Sequence, residues 1–444
     1  MKLGKLRLSF FLLLCFSCSQ TWGQGPEDLE DNPSIQRFRD YLRIPTAHPN
    51  PDYGPAIDFL VGQANEIGLS TRTLEFVPKK PFLLMTWKGS SEQKLQSVIL
   101  NSHMDVVPVE EDKWIYPPFE AHMDEEGKIF ARGSQDIKAL GMLYLEGLRI
   151  LKAKGWTPLR DIHVVWAPDE EIGSTDGWER LYNSTEFQEL DAAIVWDEGR
   201  PTPEGNYVAH PGEKALWWLV INATGESGHG SIYYENSASE NMFISLNAIN
   251  TFRDSQKSPV LSGEKTIAEV VAVNSAYLKS GTPTPDGGFT INVQPSVVEA
   301  GFDIRLPPVT GIAKFMDKRI AEEWAPKNRN MAFHFIERSG LTKDNEIPVS
   351  IADDSNPWWV LLRTAISKFN ATLTPEIAPA STDARFARLL GITAFGIMPI
   401  EHVPFLFHAD NEFMNGYEFL KGINVTVAII DQYASFPGPL VSAL

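Results

Sequence analysis

Short apolar runs that are typical of buried β-strands recur along this chain, and five of them lead to a His, Asp or Glu residue. The five residues are His103, Asp136, Glu171, Glu198 and His408. In an open α/β sheet, ligands bind in the crevice beyond the carboxyl ends of the strands. The pattern therefore predicts that these five side chains converge at one site.

Helical patterns separate the strand-like runs. The segment from Lys138 to Ala153 has apolar residues at spacings of three and four, and the segment from Ile35 to Gly68 also has a helical pattern. Strands that alternate with such helices indicate βαβ units and a largely parallel sheet. We therefore predict an α/β fold with a mostly parallel sheet.

The pattern changes near Gly212. Strands are predicted at 216–221, 267–273, 297–305 and 331–336, and helices at 239–252 and 311–324. This β-α-β-β-α-β order is that of a ferredoxin-like α+β unit. Beyond Ser339 the α/β pattern returns and supplies His408. We predict a discontinuous catalytic domain of residues 24–211 and 339–444, with an inserted domain of residues 212–338.

The first 23 residues have the pattern of a secretory signal peptide. Three basic residues precede an apolar run at 8–18 that is too short to span a bilayer, and Thr21 and Gly23 are small residues suited to cleavage. A retained anchor is the alternative. Both cysteines, Cys15 and Cys18, lie in this leader, which excludes disulfides and cysteine nucleophiles from the mature chain. We expect a secreted protein, or one in the lumen of the secretory pathway.

The charge and hydropathy of the chain argue against nucleic acid as a partner and against a membrane-spanning segment in the mature protein. The net charge of −18 becomes −21 once the leader and its three basic residues are removed. Nucleic acid is not an expected partner, because phosphate neutralisation needs a basic surface. No later segment is apolar for long enough to span a membrane. Sequons at Asn183, Asn222, Asn370 and Asn424 are candidate glycosylation sites.

The residue types at the strand ends suit metal binding. Neutral imidazole, as in His103, is a common zinc ligand, and a ligating His usually donates its other N–H to a carboxylate such as Asp105. Asp136 stands before a helix, where it fits either a bridge between two metal ions or a simple N-cap. For Glu198 an ordinary turn is the alternative, and for His408 it is a purely structural role.

Three consecutive acids at 169–171 follow a buried strand. Their mutual repulsion calls for cations, although a solvated acidic turn is the alternative. Catalysis needs one carboxylate on a metal and another that is free to move protons, and the adjacent Glu170 and Glu171 suit these separate tasks. Asp136, Glu171 and Glu198 carry three negative charges, which two divalent ions would balance. The set predicts a two-metal hydrolase.

Several motifs together resemble the M20 metallopeptidase family. They are His103-x-Asp105, Ala131–Lys138 (ARGSQDIK), Pro168–Gly173 (PDEEIG), Asp197-Glu198-Gly199 and His408. Within the family, the chain is most similar to the aminoacylase-1 type of N-acyl-amino-acid amidohydrolase. The resemblance covers essentially the whole mature chain, with the motifs in the expected order and spacing.

The resemblance implies two Zn²⁺ ions per subunit and a role for each ligand. His103, Asp136 and Glu198 would hold one zinc ion. Asp136, Glu171 and His408 would hold the other, so that Asp136 bridges the two. The resemblance also implies a cis peptide bond after Asp136.

The resemblance also implies roles for residues that do not bind metal. Glu170 would be the general base, and Asp105 would orient the imidazole of His103. His229, in a Gly-rich loop of the inserted domain, would reach the active site of a partner subunit in a homodimer joined through that domain. Asn292 would contact substrate. Arg385 would form a bidentate pair with the substrate carboxylate, with a salt bridge at a helix start as the alternative.

These roles imply hydrolysis of N-acyl-L-amino acids, which are small-molecule substrates. The alternatives are an M20-type dipeptidase or exopeptidase, an N-fatty-acyl amino acid synthase or hydrolase, and a secreted binding protein with an inactive site. The chain departs from the aminoacylase pattern at Asp410, where a second His is expected. It also departs in having a leader, which the cytosolic members lack.

Overall fold

The computed structural model describes residues 27–438. The predicted signal peptide, with Cys15 and Cys18, lies outside the described residues. Within them, no helix combines the length and the apolar character needed to cross a membrane.

The described part of the chain alternates between helices and strands. The α-helices are α1 (Glu27–Glu30), α2 (Pro33–Leu42), α3 (Gly54–Ile67), α4 (Lys138–Ala153), α5 (Trp178–Tyr182), α6 (Thr185–Leu190), α7 (Ala238–Leu261), α8 (Ile312–Arg319), α9 (Pro357–Ser367), α10 (Ala384–Leu389) and α11 (Gly416–Ala434). The strands are β1 (Ser70–Val77), β2 (Lys80–Trp87), β3 (Ser97–His103), β4 (His122–Met123), β5 (Lys128–Phe130), β6 (Ile162–Ala167), β7 (Ala192–Asp197), β8 (Tyr207–His210), β9 (Ala215–Thr224), β10 (Gly228–His229), β11 (Ala272–Lys279), β12 (Val293–Gln294), β13 (Val297–Leu306), β14 (Met331–Arg338), β15 (Leu373–Pro375), β16 (Thr393–Ile397) and β17 (Phe413–Asn415).

An eight-stranded sheet forms the centre of the larger domain, in the order β1-β2-β6-β3-β7-β16-β8-β15. The neighbours β6, β3, β7 and β16 are parallel to one another, and β8 is parallel to β15, whereas β1, β2 and β6 run antiparallel in turn. The strands β3 and β6 are buried along their whole length, as expected of a sheet covered on both faces. The predicted α/β fold with a mostly parallel sheet is confirmed.

Helices complete the core of this domain. The helix predicted from Lys138 to Ala153 is confirmed as α4, which packs on α11. The helical pattern from Ile35 to Gly68 corresponds to two helices, α2 and α3, with a connection at 43–53. Pro45, Pro49 and Pro51 lie in that connection, and a proline has no N–H to donate to a helix.

The inserted segment folds around a second, smaller core. Its elements β9, α7, β11, β13, α8 and β14 follow the predicted β-α-β-β-α-β order and form an antiparallel sheet in the order β11-β13-β9-β14. Trp217 and Trp324 are fully buried in its core. The start of the strand predicted at 267–273 is wrong, because β11 begins only at Ala272. The residues before it form one 3₁₀ turn, which a capping box between Thr266 and Glu269 stabilises.

The larger sheet brings three candidate ligands to one edge. Strand β3 ends at His103, β6 ends shortly before Glu171, and β7 ends directly before Glu198. Because β6, β3 and β7 are adjacent and parallel, their carboxyl ends lie side by side. Parallel pairing therefore produces the convergence that the sequence pattern predicts.

Candidate metal centre and active site

The imidazole of His103 lies at the centre of a group of carboxylates. Its Nε2 atom is 3.4 Å from Asp136 Oδ1, 3.7 Å from Glu198 Oε2 and 3.9 Å from Glu170 Oε2. The side chain is 1% exposed, and its Nε2 atom has no hydrogen-bond partner. A buried nitrogen that lacks a partner is uncommon in proteins, and a metal ion would satisfy it.

A second imidazole contacts the other side of the same group. His408 Nε2 lies 3.1 Å from Asp136 Oδ2 and 2.9 Å from Glu171 Oε2. Asp136 therefore presents Oδ1 towards one imidazole and Oδ2 towards the other, which is the arrangement that a bridging carboxylate requires. The peptide bond between Asp136 and Ile137 is cis, as the family resemblance implies.

The carboxylate of Asp105 connects two of the strand ends. His103 Nδ1 is 2.9 Å from the backbone oxygen of Asp105 and 3.5 Å from its carboxylate Oδ1. The backbone N–H groups of Glu170 and Glu171 donate to the carboxylate, at 3.2 Å and 3.0 Å. His48 Nε2 contacts the carboxylate at 2.9 Å. Asp105 thus fixes the imidazole mainly through its carbonyl, while its side chain holds the acidic turn.

Glu412 organises the turn that carries Asp136. Its carboxylate is fully buried and accepts hydrogen bonds from the backbone N–H groups of Gly133, Gln135 and Asp136. Arg132 Nη1 donates to the same carboxylate at 2.7 Å. Arg132 also donates to the backbone oxygens of Ala409, at 3.1 Å, and His408, at 3.3 Å. This network therefore joins the turn of Asp136 to the loop that carries His408.

The buried carboxylates of the site have strongly shifted pKa values. Burial, and then repulsion from other carboxylates, raises the pKa of Glu170 and of Glu198 well above the usual range. The same causes raise the pKa of Glu171 to about 7. Burial opposes ionisation of Asp136, but its close contacts with the two imidazoles outweigh burial and lower its pKa to about 2. Hydrogen bonds to Asp136 and Glu171 raise the pKa of His408 to about 10.

This donor set fits divalent metal ions. Two triads, His103 with Glu170 and Glu198, and His103 with Asp136 and Glu171, have ligand atoms within 4.8 Å of one another. Imidazole nitrogens and carboxylate oxygens are ligands that zinc accepts. Buried carboxylates at such distances are costly as bare anions, and two divalent cations would offset that cost.

The inserted domain places His229 and Asn292 next to each other. His229 on β10 pairs with Val293 on β12, and the N–H of Gly230 donates to the backbone oxygen of Asn292 at 2.8 Å. The side chain of His229 is exposed and its Nδ1 atom contacts Ser231 Oγ at 2.8 Å. The structure therefore brings these two residues together on the inserted domain, outside the cluster of metal-type ligands.

Arg385 contacts the end of the acidic turn. Its guanidinium donates from Nη1 to the backbone oxygen of Thr382 at 2.6 Å and from Nη2 to that of Gly173 at 2.9 Å. Only 4% of the residue is exposed. Asp410, where the family pattern has a second His, is exposed at the surface.

Two residues that support the site were not among those predicted from the sequence. His48 has only the turn-like residues around Pro49 beside it, and Glu412 stands in an acidic stretch of loop after His408. Neither follows a strand-like run, which was the signal for the ligands. The nearest hint for Glu412 was its position four residues after a candidate ligand.

Comparisons with known proteins agree with this geometry. A sequence profile described as Peptidase family M20/M25/M40 matches residues 99–432. Aminoacylase-1A of Rattus norvegicus is 37% identical over 416 residues, which cover 93% of this chain and 98% of the relative. Aminoacylase-1 of Homo sapiens is 35% identical over 421 residues, with coverage of 93% and 98%.

Solved structures share the fold at much lower sequence identity. The M20 family metallo-carboxypeptidase Sso-CP2 from Sulfolobus solfataricus has a TM-score of 0.67 at 16% identity, covering 91% of this chain and 99% of that one. Human carnosine dipeptidase 1 has a TM-score of 0.64 at 15% identity, with coverage of 92% and 97%. The chain therefore belongs to peptidase family M20/M25/M40, and within it to the aminoacylase-1-like amidohydrolases.

Proposed function

We propose that this protein is a secreted, zinc-dependent aminoacylase that hydrolyses N-acyl-L-amino acids to a carboxylate and a free amino acid. The observation that carries the proposal is the convergence of two imidazoles and four carboxylates around His103 Nε2 and Asp136. The likeness to aminoacylase-1 over more than nine-tenths of the chain supports the choice of substrate. Secretion rests on the leader-like first 23 residues.

Five residues would hold the two metal ions. His103 and Glu198 would bind one ion and Glu171 and His408 the other, with Asp136 shared between them. Bound metal would polarise the scissile carbonyl and make water a better nucleophile at neutral pH.

Glu170 would transfer the protons of the reaction. Its Oε2 atom lies 3.9 Å from His103 Nε2, at the border of the ligand cluster, and its side chain is 11% exposed. In this position its carboxylate would accept a proton from water and pass it to the leaving nitrogen. Glu171, the next residue, contacts His408 at 2.9 Å and would bind the metal ion.

A homodimer would complete the site. His229 is exposed in the single chain. In a dimer, the second copy would bring its own His229 over the substrate carbonyl of the first. Among the described residues, β11 is an edge strand of the inserted sheet with no strand paired to its outer side. Exposed apolar side chains lie nearby on α7 and β11, including Phe243 at 66% and Leu278 at 54%. An open strand edge with apolar neighbours favours association.

The first experiment compares Glu170→Gln with wild type. We expect the variant to keep its metal content, measured by elemental analysis, and to lose nearly all hydrolysis of N-acyl-L-amino acids. The exposed Glu126→Gln is the matched control. Normal turnover in Glu170→Gln would refute the base assignment. A substrate panel of N-acetyl, N-dodecanoyl and dipeptide compounds separates the aminoacylase from the fatty-acyl and dipeptidase alternatives.

A second experiment tests action across the dimer. Glu170→Gln and His229→Ala proteins are mixed after verified subunit exchange, so that a mixed dimer contains one site with both intact residues. We expect part of the wild-type activity to return. Continued inactivity of the exchanged mixture would contradict catalysis by His229 of a second subunit.

A further inference from the structure

The acidic turn of residues 169–174 has an unusual backbone at its first residue. Asp169, which directly precedes Glu170, has a φ of 60°. Residues other than glycine adopt this left-handed region only where the surroundings hold them in it. The contacts that hold Asp169 therefore also set the direction of the proposed base beside it.

One tyrosine contacts both the side chain and the backbone of Asp169. Tyr53 Oη donates to Asp169 Oδ1 at 2.8 Å and accepts a hydrogen bond from the backbone N–H of Asp169 at 3.1 Å. Tyr53 is 3% exposed and Asp169 is 1% exposed. A phenolic hydroxyl can act as donor and acceptor at once, so this single group fixes the carboxylate and the peptide plane together.

A lysine contacts the other oxygen of the same carboxylate. Lys80 Nζ forms an ion pair with Asp169 Oδ2, and it also contacts Asp176 Oδ2 at 2.8 Å. Its side chain is 28% exposed, so the ammonium group is partly solvated while its partner Asp169 is buried. A buried carboxylate without such a partner is costly. Tyr53 and Lys80 thus engage both oxygens of Asp169.

Tyr53 ends a segment, residues 46–53, that is fixed to the chain directly after β3. The N–H of His48 donates to the backbone oxygen of Val106, and the N–H of Val106 donates to that of Thr46, both at 3.0 Å. The hydroxyl of Thr46 donates to the backbone oxygen of Met104 at 2.6 Å. The segment therefore has a defined position relative to the carboxyl end of β3.

This segment reaches the acidic turn at two points. Tyr53 binds Asp169 directly. His48 contacts the carboxylate of Asp105, which accepts hydrogen bonds from the next two N–H groups of the turn. The position of the turn is thereby tied to the strand end that carries the first candidate metal ligand.

We propose that Tyr53 and Lys80 are positioning residues, which hold Asp169 in its left-handed conformation and so direct Glu170 towards the metal centre. The inference rests on the proposed function, because it takes Glu170 as the base. Neither side chain belongs to the set of metal-type ligands, so replacing them leaves that set intact.

The kinetic test uses Tyr53→Phe, which removes only the hydroxyl, and Lys80→Met. Both are prepared as full-length, zinc-loaded proteins and assayed with N-acetyl-L-leucine. The matched controls are Tyr433→Phe, at a buried tyrosine of α11 that packs on Trp358, and Lys94→Met, at a lysine that is 86% exposed. Melting temperature and metal content confirm that each protein is folded and loaded.

We expect Tyr53→Phe and Lys80→Met to lower kcat by about 10- to 100-fold, because a small misplacement of a catalytic group slows the reaction strongly. KM should change by less than about threefold, as expected for an interaction that acts only in the transition state. Both control variants should keep the wild-type kcat. A kcat of Tyr53→Phe within about twofold of wild type would overturn the proposal.

A double variant shows whether Tyr53 acts through Asp169. Changes at residues that share one contact are not additive. The kcat of Tyr53→Phe combined with Asp169→Asn should therefore lie within about threefold of that of the slower single variant. Full multiplication of the two single losses would mean that Tyr53 acts on the reaction independently of Asp169, and this part of the proposal would fail.

A further measurement does not depend on activity. Amide hydrogen exchange of a peptide that spans residues 169–174 is followed in the wild type, in Tyr53→Phe and Lys80→Met, and in the two controls. We expect faster exchange in the two test variants only. If the wild type does not hydrolyse the substrate, the proposed function fails, and exchange still decides whether Tyr53 and Lys80 hold the turn. Unchanged exchange in both test variants would overturn the positioning role.

Discussion

Glu412 offers a sharp test of how the metal centre is supported. Its carboxylate is fully buried and lies between Arg132 and the backbone N–H groups of the turn that carries Asp136. Glu412→Gln keeps the shape of the side chain but replaces one acceptor oxygen with an NH₂ group. That group faces either Arg132 or the backbone N–H groups, so donors are opposed to donors in both orientations.

The size of the effect follows from the burial of the ion pair. The side chains of Arg132 and Glu412 are 2% and 0% exposed. Removing one partner of such a pair typically costs about 3–5 kcal/mol, because the other charge is left buried. For a cooperative unit of roughly 300 residues, about 4 kcal/mol corresponds to a fall of about 6 °C in melting temperature. Loss of support for the Asp136 turn should also weaken metal binding by about 10- to 100-fold.

The assay is scanning calorimetry of the metal-free proteins at one scan rate, followed by competition for zinc with a chromophoric chelator. The surface variant Glu126→Gln, which removes an ion pair with Lys128 in solvent, should change the melting temperature by less than about 1 °C. If Glu412→Gln melts within about 1 °C of wild type and binds zinc equally well, the reasoning from burial is refuted.

Three other perturbations test separate parts of the structure. His48→Ala removes a partner of the buried Asp105 carboxylate and should weaken zinc binding by about 10-fold or more, and an unchanged affinity in the same chelator competition would contradict this role. Burial lowers the pKa of His163 to about 4, below the ordinary value of about 6.5, so the unfolded state takes up a proton first and stability falls as pH drops from about 6.5 to 4. In urea unfolding, the free energy of unfolding of His163→Gln should therefore fall by about 3 kcal/mol less than that of the wild type between pH 6.5 and pH 4. The control His402→Gln, at an exposed position, should show the same fall as the wild type. Zinc at about 1,000 times its Kd should stabilise the wild type by about 4 kcal/mol in thermal unfolding, and an equal gain in His103→Ala would show that the ion binds elsewhere.

The candidate ligands could be predicted because their signal is local. A buried strand needs an apolar run, and a polar residue directly after it lies at the edge of the sheet. His103 is the last residue of β3, and Glu171 and Glu198 follow β6 and β7; the structure shows these three strands to be parallel neighbours. The order of elements in the inserted domain was predictable for the same reason, since each strand and helix has its own periodicity.

The supporting contacts could not be predicted because they join distant parts of the chain. Arg132 and Glu412 are 280 positions apart, and Arg385 and Gly173 are 212 apart. A local pattern shows that a charged residue stands in a loop, but it does not show which distant backbone groups will meet it. Local errors have a similar origin: the helical periodicity across residues 35–68 did not reveal that prolines would separate α2 from α3.

The side chains that hold the ligand-bearing turns in place are acidic, and their hydrogen bonds explain why. Buried carboxylates from remote segments accept hydrogen bonds from two of the ligand-bearing turns: Asp105 and Asp383 bind the acidic turn, and Glu412 binds the turn of Asp136. Backbone N–H groups bind a charged acceptor more strongly than a neutral one, so a carboxylate fixes such turns better than an amide would. The cost is added negative charge beside the ligand carboxylates. Bound cations would offset that charge, and we therefore expect the rigidity of these turns to depend on metal binding.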